Sequence, residues 1–392
     1  MRVSSLILRE FSGLKGIHQS RLMAVAKVTA AVLIVSRLAL TLVGRGIAGV
    51  TTAKGGIKCV DRLLGNIKLQ AEIGLFYARI ASRMVPPRKK GRPILLIDWT
   101  DIGTLWAALV VTLVTEGRGV VLCSEVHPRK KENSPRVESS VLKKLKGLLP
   151  EGCKPILVSD AGFRGPWLRK VVAEGWDFVG RVRGRVFVRR PGAREWFSVK
   201  NLWNSATPAP KDFGQFSLAR YLPLDARVIG VWKNKRRKCS KKRLPKVGHR
   251  KQKAIRSAKE PWILATSLKG ESAREVVRLY ALRMRIELTF RDQKCPRFGL
   301  ALDQIRTKNR KRVEVYLLLA TLAHYVAMFI GRAAEERGLH LDYQANTVTA
   351  RRVLSWARLG REILLRALRE ALAAVVPKLP SQLCLEALTY SG

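Results

Sequence analysis

PILLIDWTDIGTLWAALVVTLVTEGRGVVLCSEVH, residues 93–127, is the stretch whose reading decides the fold. It divides into three apolar runs, PILLIDWT at 93–100, WAALVVTLVT at 106–115 and GVVLCSEVH at 119–127. The loops between them are only a few residues long. That is too short for a crossover helix, so the runs predict an antiparallel meander of three strands. Downstream, Ser134 stands as an N-cap with Pro135 at the first helical position, opening a helix over SPRVESSVLKKLKGLL at 134–149. Another apolar run, KPILVSD at 154–160, leads into a helix at PWLRKVVAEG, 166–175, and a strand at WDFVGRVRG. The order is three strands, helix, strand, helix, strand, which is an α/β class.

Outward from this centre the pattern changes. Residues 1–86 read as helical, with a break at GRGIAG, 44–49, and VPPRKKGRP at 85–93 is a proline-bounded basic linker. From about 184 to 268 the pattern is strand-like and irregular, and residues 233–259 hold 14 Lys or Arg in 27 positions, an insertion by composition. Helix returns at 272–294 and about 312–336, the latter apolar enough to pack on the core. The expected divisions are 1–90, 91–183, 184–268, 269–305 and 306–392. The stretch at 24–43 is the most membrane-like, but Lys27 and Arg37 interrupt it, and its uncharged runs fall short of the roughly 20 residues that a span needs. It reads as a buried helix, and the N-terminus lacks the apolar run of a secretory signal. The six cysteines show no C-x-x-C pair, so the simpler expectation is a reducing cytoplasm and neither a zinc site nor a disulfide framework.

Charge narrows the partner. The 392 residues include 75 Lys and Arg against 29 Asp and Glu, a net charge of +46, while 47% of the residues are apolar. A disordered basic tail, collagen, a coiled coil and an acidic solvating protein are all excluded. A folded chain this basic calls for a polyanion, and nucleic acid is the usual one.

With acids so scarce, their placement carries information. Asp98 follows PILLI and Asp160 ends ILVS, so each is expected where a buried strand emerges. An aspartate there can be a turn former or helix cap. Two such strands side by side would instead bring hard oxygen ligands together for a divalent metal pair. The third element is YALRMRIELTFRDQK at 280–294. On one continuous helix, Tyr280, Arg283, Glu287 and Lys294 would share a sector of about 60°. A solvated charge stripe has the same geometry; alternatively Glu287 ligates a metal while Arg283 and Lys294 meet phosphates.

DWTDI at 98–102, SDAGFRG at 159–165 and the Tyr-x2-Arg-x3-Glu-x6-Lys run at 280–294 resemble the three motifs of bacterial insertion-sequence DDE transposases. The likeness is to the hairpin-forming, cut-and-paste family of the transposons Tn-five and Tn-ten. It spans about residues 57–305 and takes in CVDRLLGN at 59–66. The resemblance implies a ribonuclease H-like (retroviral-integrase-like) catalytic core with a β-rich insertion, flanked by helical N- and C-terminal regions. It implies that Asp98, Asp160 and Glu287 form the metal-binding catalytic triad for two Mg²⁺ ions, with Mn²⁺ able to substitute. It also implies end nicking, hairpin formation and resolution, and strand transfer into target DNA, each an in-line phosphoryl transfer. Tyr280, Arg283 and Lys294 would bind DNA phosphate, and Trp262, in EPWILATSL at 260–268, would stack a flipped base. An ordinary core tryptophan is the plain alternative for Trp262.

Further DNA contacts are expected from the basic run, including Lys235, Arg236, Arg237, Lys238, Lys241, Lys242 and Arg243, and from Lys58, Arg62 and Asn66 on an N-terminal helix. Asp101, Glu125 and Asp292, acids near the motifs, could support the motif residues from behind or be surface charges, and the surface reading is the plainer one. The resemblance further implies a synaptic homodimer with contacts in the C-terminal helices, terminal inverted repeats and target DNA as partners, no membrane, no small-molecule cofactor, and a nucleoid-associated place in a bacterial or archaeal cytoplasm. Two other readings stay open at this point: a non-catalytic basic nucleic-acid-binding protein, and a plain metal-dependent nuclease on the same fold.

Overall fold

The computed structural model describes residues 3–47, 49, 52–87, 91–232, 260–369 and 388–390. Along the chain come α1 (Val3–Phe11), α2 (Gln19–Val35), α3 (Leu40–Arg45), α4 (Ala53–Gly65) and α5 (Ile67–Met84). The meander β1 (Arg92–Ile102), β2 (Trp106–Val114) and β3 (Gly119–Pro128) follows, then α6 (Pro135–Leu148), β4 (Ile156–Ser159), α7 (Gly165–Ala173) and β5 (Asp177–Val182). Short strands β6 (Phe187–Arg189), β7 (Phe197–Ser198), β8 (Lys211–Leu218), β9 (Leu224–Val231) and β10 (Trp262–Thr266) lead to helices α8 (Ala273–Ala281), α9 (Met284–Lys294), α10 (Arg310–Glu335) and α11 (Trp356–Arg369), with β11 (Thr389–Tyr390) last. The chain divides into two compact units, residues 1–153 with 284–390, and residues 154–283.

In the first unit β2 is antiparallel to both neighbours, with Asp98 opposite Val110 and Val110 opposite Ser124. Short connections leave antiparallel pairing as the accessible arrangement, as the sequence predicts. Helices cover the sheet, which is why its strands read as apolar runs without alternation. Tyr77 of α5 meets Ser124 at 2.7 Å, while Ser140 of α6 donates to Glu125 at 3.0 Å. α10 is long and apolar enough to cross a membrane, yet 94% of its apolar window is buried inside the protein. It packs on α11 through glycine: a Cβ at Gly360 would lie 2.0 Å from the Ala327 carbonyl, and one at Gly331 2.0 Å from that of Trp356. The cysteines among the described residues are free.

In the second unit β4 and β5 are parallel, joined by the crossover helix α7, with Ile156 opposite Asp177. β10 pairs antiparallel with β5 and β9, and β9 forms a hairpin with β8 that bulges between Asp212 and Gly214. β6 and β7 complete this mixed sheet. The architecture is mixed α/β, sheets flanked by helices.

Three expectations are corrected. The helix expected over 272–294 breaks at Leu282 and Arg283, whose amides bond three residues back, to Leu279 and Tyr280, in place of four. Asp98 is not at a strand end, because β1 runs on to Ile102 with Thr100 and Asp101 still paired to β2. Ser134 occupies the N-cap position but its hydroxyl makes no capping bond, leaving Pro135 to mark the helix start.

Candidate active site

In the first unit, β1 carries Asp98, 9% exposed, whose Oδ1 accepts the amide of Trp99 at 2.9 Å. Side chains alternate across a strand, so Asp98 and Thr100 point to the same sheet face. Helix α9 packs on β1, and Lys294 donates to the Thr100 hydroxyl at 3.0 Å while lying 3.6 Å from Asp303. Glu287 stands two turns earlier on the same side of α9, exposed. The strand of Asp98 and the helix of Glu287 are thus packed together, and Lys294 pins one to the other.

In the second unit, Asp160 follows β4 directly. Its Oδ1 accepts the Gly162 amide at 2.7 Å and its carbonyl the Phe163 amide at 3.3 Å, a turn that leads toward α7. The turn-forming role is therefore real. Tyr280, at the end of α8, is buried and meets Trp262 edge to face at 4.8 Å. Burial pushes the Tyr280 phenol up; the Asp160 charge adds to this, while Arg283, Arg181 and Arg183 oppose it. The phenol therefore stays protonated at neutral pH. Arg283 stands in the break after α8, so the single shared helix face for Tyr280, Arg283, Glu287 and Lys294 is not formed. Only Glu287 and Lys294 remain on one continuous helix.

The three carboxylates fall in different units, Asp98 and Glu287 in the first and Asp160 in the second. Among the described residues no group of three or more His, Cys, Asp or Glu side chains is gathered as a metal site. By chemistry the three side chains would suit a hard divalent cation, since all are carboxylates in a chain otherwise dominated by bases.

Lys58 and Arg62 are exposed on α4. Asn66 is not part of that face, because its Oδ1 caps α5 by accepting the Leu69 amide at 2.9 Å. Lys235, Arg236, Arg237, Lys238, Lys241, Lys242 and Arg243 lie outside the described residues. Two acids read as surface charges are buried instead. Glu125, 7% exposed, is held by His127, Ser140 and Lys144, and Asp292, 8% exposed, by Arg118 at 2.5 Å. Sequence reading also passed over Arg181 and Arg183 beside Tyr280. Their R-V-R alternation at a strand end was the available signal.

A mixed α/β fold that carries acids on a strand, after a strand and on a helix, in a strongly cationic chain, is compatible with an enzyme that acts on nucleic-acid phosphodiesters. More particularly, residues 89–325, more than half of the chain, match the transposase DDE domain family, and the protein belongs to that family. It is a DDE transposase, acting on DNA with divalent metal ions. No curated protein matches the chain.

Proposed function

We propose that this transposase works by the hairpin-forming cut-and-paste route, excising an insertion sequence and joining it to target DNA. The observation that carries the reading is that the family match, 89–325, contains all three motif carboxylates, Asp98, Asp160 and Glu287, with Tyr280, Arg283 and Lys294 at the signature spacing around the last. Asp98, Asp160 and Glu287 would together hold two Mg²⁺ ions. When bound, such ions make water or a 3′-hydroxyl nucleophilic and stabilise the leaving oxygen.

The other residues have positioning work. Tyr280, kept neutral by burial, donates to a phosphate oxygen, and Arg283 holds the neighbouring phosphate charge. Lys294 fixes α9 on β1 through Thr100 and offers its remaining protons to the DNA. Trp262, only half-buried and edge-on to Tyr280, has a ring available to a base unstacked at the hairpin bend. The route is nicking at the element end, attack of the freed 3′-hydroxyl on the opposite strand, hydrolysis of the hairpin and strand transfer, carried out by a homodimer on the nucleoid.

The test incubates the protein with Mg²⁺ and a labelled duplex ending in the element's terminal repeat, beside the Glu287→Ala variant. Hairpin and strand-transfer products are expected from the wild type and not from the variant. Equal products from both proteins would overturn the assignment of Glu287, and nicks without hairpins would reduce the protein to a plain nuclease.

A further inference from the structure

Within the first unit, beside the Glu287 face of α9, lies a cavity of about 540 Å³. Its walls are unusually mixed. Leu288 of α9, Phe298, Val353 and Trp356 supply an apolar lining, and Arg291 and Arg358 stand around it. Phe298 is 46% exposed and Val353 51%, so the apolar surface faces solvent. Arg297 lies over the Phe298 ring, 5.1 Å from its centre.

The back of the cavity is fixed by ion pairs. Arg118 is tied to Asp292, and Arg352 to Glu116 at 3.1 Å and Glu335 at 2.8 Å, with its guanidinium 5.0 Å from the Trp356 ring. The rim is different. Arg291 is exposed, with no acid answering it among the described residues, and Arg358 keeps over a third of its side chain exposed beside Glu362.

Duplex DNA presents phosphates and would be gripped by cations alone. Exposed aromatic and aliphatic side chains interleaved with arginine are instead the surface on which unpaired bases stack while the backbone is neutralised. The volume lies in the ordinary range for a ligand pocket. Its position gives it a role: Arg291 is four residues past Glu287, about 40° around α9 and about 6 Å along it. A DNA strand with its reacting phosphate at Glu287 brings an adjacent nucleotide to Arg291.

We propose that this cavity receives an unpaired nucleotide of the DNA strand beside the reacting phosphate, with Phe298 against the base and Arg291 on the phosphate. The proposal rests on the reading of Glu287 as the reaction centre. It adds a nucleotide site on the first unit, distinct from Trp262 in the second.

The experiment measures binding of the full chain, without divalent metal, to a blunt duplex and to the same duplex with a short single-stranded 3′ tail. Wild type is expected to prefer the tailed DNA. Phe298→Ala and Arg291→Ala are each expected to weaken tailed binding about tenfold and to leave blunt binding within about twofold. Both side chains are exposed, and an unchanged melting temperature shows that the variants fold. Equal losses on both probes, or none on the tailed one, would overturn the proposal. So would equal binding of both probes by wild type, a result that leaves the Mg²⁺-dependent cleavage test of the transposase reading untouched.

Discussion

At the scale of single residues, the fold fixes the ionisation of groups at the proposed site and away from it. Tyr280 is the clearest. Its ring packs on Trp262 and its phenol is held neutral, so Tyr280→Phe keeps the packing and removes only the donor. Cleavage is expected to slow by roughly 10- to 100-fold, the worth of one hydrogen bond to a charged group, with stability changed by less than about 1 kcal/mol; single-turnover rates and urea melts check the two halves. Trp262→Ala is expected to separate the steps differently, leaving nicking intact while the hairpin fraction falls, and unchanged hairpin yield on a gel would remove Trp262 from the site. Glu125 gives a pH prediction. Burial pushes its carboxyl up, but hydrogen bonds from His127, Lys144 and Ser140 outweigh that and bring it down to about 2. A group bound more weakly to its proton when folded stabilises above its unfolded value near 4.5 and loses that contribution as pH falls toward 2. Glu125→Gln is therefore expected to cost on the order of 3 kcal/mol at pH 7 and little near pH 2, read from urea melts across that range.

At the scale of elements, α9 carries the proposed ligand Glu287, and ions anchor its far side. Asp292 and Arg118 are both 8% exposed, with His324 at 3.7 Å. Burial raises the Asp292 carboxyl, but His324 and Arg118 outweigh it and hold it below its usual value. Removing one partner strands the other, so Asp292→Ala is expected to destabilise by about 3–5 kcal/mol in chemical denaturation, whereas a paired Arg118→Met, Asp292→Leu variant recovers much of the loss. This anchor shows where sequence reading stops. The meander was legible because three apolar runs joined by short loops have few ways to pair, and α6, β4, α7 and β5 followed from prolines in the first helical turns and from run lengths. Asp292 was illegible because an aspartate between Arg291 and Gln293 looks solvated; only the approach of Arg118 and His324, far away in sequence, makes it a buried ion. The break at Leu282 and Arg283 was hidden for a related reason: neither residue opposes helix locally, and periodicity continues through both.

At the scale of the whole molecule, the sequence carries a surplus of 46 positive charges. Few acids exist to pair with 75 bases, and several that do, Glu125 and Asp292 among them, are consumed in buried networks inside the first unit. Among the described residues, burying such acids leaves the exposed charge weighted further toward bases. Such a surface binds DNA by displacing counterions, a contribution that is independent of sequence and of the carboxylates proposed to hold metal. Binding to a duplex without divalent ions is accordingly expected to fall steeply with salt. With roughly six to ten phosphates neutralised, affinity drops about 10³- to 10⁵-fold between 50 and 200 mM. Glu287→Ala is expected to keep the same slope, since it removes one acid and no phosphate contact, while losing all cleavage. Titrations by fluorescence anisotropy at several salt concentrations give both slopes. A slope near zero for the wild type would mean that the basic surface is not the DNA-gripping one, and a slope that changes in Glu287→Ala would mean that this acid shapes binding and not only reaction.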